Sequence, residues 1–125
     1  MTYAGLLALV YCKVDRNDPR VRSAFDWSVK NWSLEENPGM GPQGLYFFYH
    51  VLTKSLSAYG EDVLPASGGK PAVQWRPEVV KKVLALQKTD DGKAYWVNET
   101  ARFMESDKVL CTAYCTLTLQ IASGM

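Results

Sequence analysis

Apolar positions in this chain gather into five blocks that differ in how completely apolar they are. Residues 2–14, TYAGLLALVYCKV, are apolar almost throughout, which predicts a helix covered on most sides. The second block opens at Asp18-Pro19, an N-cap followed by a proline at the first helical position. There Val21, Ala24, Phe25, Val29 and Trp32 recur at helical spacing while Arg20, Arg22, Asp26 and Lys30 point elsewhere, the pattern of a one-faced outer helix. Residues 39–60, GMGPQGLYFFYHVLTKSLSAYG, predict the buried helix around which the rest is arranged, with Pro42 in its first turn and Gly60 just past its end. Arg76-Pro77-Glu78 opens a fourth helix, with Val79, Val80, Val83, Leu84 and Gln87 on one face and Lys81, Lys82 and Lys88 on the other. Ser106 or Asp107 caps a fifth, again largely apolar, running to about residue 122.

The connections are read as loops. Asn37-Pro38-Gly39 is a turn signal, and Gly68-Gly69 with Pro71 keeps 61–74 irregular. Residues 89–105 form a polar loop that nonetheless carries Tyr95, Trp96, Phe103 and Met104, so it is expected to fold back onto the helices. No strand periodicity is read anywhere. The resulting order is inner, outer, inner, outer, inner, in one all-α domain over residues 1–125. TYAGLLAL and AYCTLTLQ share tyrosine and leucine spacing across two helix pairs, which indicates an αα-hairpin array with a repeat of roughly 50 residues. Such an array is open at both ends. The chain is therefore expected to dimerise, to be poorly soluble alone, or to be a piece of a longer protein.

Composition adds limits. A net charge of +1 gives no electrostatic reason to expect nucleic acid or a membrane surface. No run of about 18 apolar residues is present, so no spanning helix is expected. The start lacks the basic residues of a signal peptide. Cys12, Cys111 and Cys115 do not make a disulfide framework and are read as reduced thiols. The compartment stays open, cytoplasmic by default.

TYAGLLALVY, DPRVRSAFDWSVKNW, GLYFFYH and the segment from Gln87 to Trp96 together resemble the prenyltransferase and squalene oxidase repeat family. That family includes squalene–hopene cyclases, related terpene cyclases and the β subunits of protein prenyltransferases. The resemblance implies part of an α/α toroid, with inner helices ringing a cavity for an apolar isoprenoid. Its most specific element is a Q-x-x-x-G-x-W motif, present here as Gln87, Gly92 and Trp96 with wider spacing. In the family the glutamine caps a neighbouring helix and the tryptophan stacks on it. The D-x-D-D acid of the cyclases is absent, and Asp90-Asp91 reads as turn chemistry. No cofactor is implied.

The candidate chemistry is sparse. Asp107, Cys111 and Cys115 lie at i, i+4 and i+8 on one helix, too far apart to share a metal, and no metal site is assigned even with His50 added. The loop before the fifth helix would rim the cavity mouth by the resemblance, which makes Glu99 and Glu105 the candidate acids and Trp96 and Arg102 candidate ligand contacts. The structural counterpart, a Glu–Arg ion pair holding the loop, is the favoured reading of the two. Tyr3, Tyr46 and His50 are candidate cavity residues, since aromatic faces stabilise carbocations. Tyr46, His50, Thr53 and Ser57 share the most polar face of the central helix, the one aimed at the cavity. The leading function is an isoprenoid-binding, terpene cyclase-like or prenyltransferase-like segment that does not catalyse alone. A non-catalytic scaffold for a protein or peptide is the alternative, and a polysaccharide-acting helical toroid is a more distant one.

Overall fold

The structure, a computed structural model, describes residues 2–124. Five α-helices are present: α1 (Thr2–Tyr11), α2 (Pro19–Lys30), α3 (Leu45–Tyr59), α4 (Trp75–Ala85) and α5 (Lys108–Ala122). Helix α3 is central and packs against α1 on one side and α5 on the other. Helix α2 lies on α1, and α4 lies on α5 and touches α3. The segment that follows α2 is tied to α4 by side chains. The Trp32 indole donates to Glu78 at 3.1 Å, and Lys82 pairs with Glu35 at 3.0 Å. The core gathers Leu52 and Leu56 of α3, Trp75, Val79 and Val83 of α4, and Cys111 and Cys115 of α5.

The predicted caps are in place. Asp18 accepts from the Arg20 amide at 2.9 Å, and Arg20 holds its carboxyl down at about 2. Gly60 ends α3 at φ 95°, a left-handed conformation that favours glycine. Asp107 accepts from the Val109 and Leu110 amides and starts α5.

Three expectations need correction. First, α3 begins at Leu45, not near Gly39, because Gly39, Gly41 and Gly44 all take positive φ and turn residues 37–44 into a loop. Second, strands exist: β1 (Val63–Leu64) pairs with β2 (Val73–Gln74), and β3 (Lys88–Asp90) pairs with β4 (Lys93–Tyr95), both antiparallel. The β3–β4 hairpin closes on Asp91-Gly92 at φ 50° and 75°, the two-residue turn whose twist matches paired strands. Third, α1 is covered on one side only: Tyr3 and Leu6 are buried, whereas Gly5, Ala8 and Tyr11 are exposed. Its uniform apolarity does not correspond to uniform burial.

Candidate functional site

Helix α3 starts without a cap of its own. Gly44 occupies the N-cap position at φ 65° and has no side chain to accept the first amides. A carboxylate from far along the chain does so. Glu105, 0% exposed, accepts from the Tyr46 amide and from the Phe47 amide, each at 3.0 Å, one on each oxygen. Asn98 braces this contact by donating to Glu105 Oε1 at 3.3 Å and to the Pro42 carbonyl at 2.6 Å. Its own backbone amide donates to the Glu105 carbonyl at 2.8 Å, and the Cys111 thiol donates to that same carbonyl at 3.0 Å. Residues 98–105 are thereby stapled to the start of α3. The N-terminal end of a helix is a favourable place for a buried negative charge. This carboxylate is a helix cap with both oxygens engaged, which leaves it poorly placed to exchange protons with a ligand.

Beside the staple lies a cleft of about 620 Å³. Tyr3 and Ala4 of α1 and Trp27 of α2 form one wall. Phe47, Phe48 and Val51 of α3 form the other, with Tyr114 of α5 behind them. Pro38, Met40 and Phe103 close the remaining side. Among the described residues no Asp, Glu, Lys, Arg or His lines it. The rings meet edge to face: Tyr3 on Trp27 at 6.1 Å and 81°, Tyr3 on Phe48 at 5.8 Å and 62°, and Phe47 on Tyr114 at 5.8 Å and 65°. This is the favoured geometry for aromatic pairs and holds the walls in defined rotamers. Burial pushes the Tyr3 hydroxyl up to about 12, so it stays protonated. Gly44 is favoured on two counts. Its φ disfavours other residues, and a Cβ there would sit 3.1 Å from the Phe103 ring.

The structure separates the residues that the sequence grouped. Tyr3 lines the cleft. Tyr46 does not; it is buried in the core and its hydroxyl donates to the Val97 carbonyl at 3.4 Å. Thr53 is buried in the core as well. The face of α3 turned to the cleft is therefore that of Phe47, Phe48 and Val51, not that of Tyr46 and His50, because the tyrosine side packs inward. His50 stacks on Tyr114 at 5.9 Å, with its Nδ1 buried and without a protein partner. Desolvation, with help from Lys54, lowers its pKa.

Trp96 is a structural anchor: its indole donates to the Val83 carbonyl at 2.9 Å and its amide donates to Thr112 at 3.2 Å. Gln87 is exposed, so the helix-capping glutamine of the resemblance is not reproduced. Glu99 sits at the surface and pairs with Lys88 at 3.4 Å. Arg102 donates to Gln43 at 2.9 Å and lies 5.0 Å over the Phe103 ring. The expected Glu–Arg pair thus does not form; each of the three charges has another partner. Cys111 and Cys115 are buried, with burial pushing the Cys111 thiol up to about 11 and the Cys115 thiol higher still. Among the described residues no three His, Cys, Asp or Glu side chains converge on a point. Trp27, Phe48, Val51, Phe103 and Tyr114 were not singled out from the sequence as site residues. Only the density of aromatics hinted at them.

No helix of the described residues is long and apolar enough to cross a membrane. Compared with known proteins, the chain matches no protein-family model, no curated protein and no solved structure.

Proposed function

We propose that this chain is a ligand-binding helical domain whose cleft takes an apolar molecule of isoprenoid size, and that it does not catalyse on its own. One observation carries this reading: an aromatic cleft of about 620 Å³ with, among the described residues, no charged side chain on its walls. Sites for small apolar ligands have this volume and this lining. Each methylene removed from water there contributes about 0.8 kcal/mol. The two carboxylates that the sequence offers as acids support the non-catalytic part of this reading. Glu105 is committed to the start of α3, and Glu99 is out on the surface beside Lys88. The isoprenoid class and the wider α/α toroid rest on the sequence resemblance. They are in keeping with the row of α1, α3 and α5 under α2 and α4.

A second reading is the scaffold. Helix α5 leaves Val109 79% exposed and Leu117 44% exposed, two turns apart on one face. Such a stripe suits a protein neighbour.

Native mass spectrometry of the purified chain with farnesol and decanol distinguishes the two. A saturable one-to-one adduct, abolished by filling the cleft with Val51→Trp while the circular dichroism spectrum is retained, is the expected result. An oligomer that takes up neither alcohol would replace the cleft reading with the scaffold.

A further inference from the structure

The cleft is lined mostly by apolar groups, with Thr2 and Asn37 among them, and a cation stands next to one of its rings. Arg102 lies 5.0 Å over the Phe103 ring, and Phe103 lines the cleft. The other cations stacked on aromatic rings are Arg16, Lys54, Arg76 and Lys108, on Tyr59, Tyr11, Trp75 and Tyr95. None of those rings lines this cleft. Arg102 therefore places a positive charge one ring away from a cleft whose lining, among the described residues, includes no charged side chain.

Among the described residues that charge has no ion-pair partner. Among the described residues the ion pairs involve Arg16, Arg20, Arg76, Lys82 and Lys88, and Arg102 is in none of them. Its protein hydrogen bond is to the neutral amide oxygen of Gln43. A guanidinium carries five N–H donors in a planar fork, so most of them face solvent here. Of the two carboxylates three residues away, Glu105 has both oxygens engaged by the α3 amides and Glu99 pairs with Lys88 at 3.4 Å. The stack on Phe103 and the bond to Gln43 fix the guanidinium beside a ring that lines the cleft.

We infer that the cleft takes an apolar chain ending in a single carboxylate, with the chain between Phe48 and Phe103 and the head on Arg102. This deepens the apolar-ligand reading and rests on it. A carboxylate is chosen because one guanidinium fork matches it with two parallel hydrogen bonds. Each methylene added to the chain tightens binding about fourfold until the cleft is full.

The test is isothermal titration of the purified chain with decanoate and with decanol. Decanoate is expected to bind about fivefold more tightly than decanol, with the difference shrinking at high salt as the Arg102 charge is screened. R102Q should lose that fivefold for decanoate and less than twofold for decanol, and R102K should keep part of the preference. The decanol titration also reports whether each variant is folded. Equal binding of acid and alcohol, or a preference that survives R102Q, would overturn the assignment to Arg102 and leave the apolar cleft standing. Binding of neither would remove both.

Discussion

Glu105 shows how a residue's role is fixed by what it meets. Its carboxylate supplies the cap that Gly44 cannot, at two amides 58 and 59 residues away along the chain. Glu105→Ala removes the carboxylate and leaves buried amides unpaired, so a loss of about 3 kcal/mol in stability is expected. Glu105→Gln keeps one acceptor oxygen and should cost roughly half of that. Urea unfolding of both variants checks the order, and losses below about 0.5 kcal/mol in both would show that the cap contributes little. The sequence places Glu105 correctly in a loop before a helix. It cannot show that the loop turns back onto a different helix, because nothing local distinguishes a free acid from a long-range cap. Tyr49 has the same history: its hydroxyl donates to the Leu34 carbonyl in the core, a contact that no local pattern announces.

The elements divide by whether their signals are local. Asp18-Pro19, Gly60 and Asp107 mark helix ends through bonds made within a few residues, and all three sit where the sequence puts them. The β3–β4 hairpin has a local signal too, in Asp91-Gly92, but its strands are three residues each and carry no alternation to read. The 3₁₀ turn Arg102–Met104 is different again. Phe103 and Met104 both adopt positive φ, at 60° and 63°, which costs a non-glycine residue about 1–2 kcal/mol. Phe103 packs on Gly44 in return, whereas Met104 is 70% exposed. Met104→Gly should therefore raise stability by roughly 0.5–1 kcal/mol, strain relief exceeding the entropy cost of glycine. A lowered thermal midpoint would mean that the methionine makes a contribution its exposure does not reveal.

At the scale of the whole molecule, α3 is the shared partner of α1 and α5, and His50 sits on the α5 side of it against Tyr114. Its pKa is lowered from the ordinary 6.5, chiefly by desolvation. The folded state thus binds this proton less readily than the unfolded chain does. Stability is full above about pH 6.5 and falls on acidification until the folded-state pKa is passed. The urea midpoint should drop between about pH 7.5 and pH 5.5, and His50→Phe should flatten that part of the profile. Asp18, held near 2 by Arg20, titrates outside this window. A profile as steep in the variant as in the parent would exonerate the histidine. The cleft belongs to this scale as well: its walls come from α1, α2, α3, α5 and two loops, so no single stretch of sequence contains it.

By itself the sequence determined a helical chain of five main helices, their order and the caps at Asp18, Gly60 and Asp107, because helix periodicity and capping act over a few residues. It also indicated that the long loop before α5 folds back onto the helices, since large apolar groups are seldom left in water, whereas the bonds that anchor Trp96, offered from the sequence as a ligand contact, came from the fold. Only the tertiary structure decided which apolar faces meet. Leu52 and Val51 are neighbours in sequence with the same chemistry, yet one is buried in the core and the other lines the cleft. Hydrophobicity drives both out of water without direction. Packing across distant helices chooses between a filled core and an open cleft, and that choice appears only when the whole chain has folded.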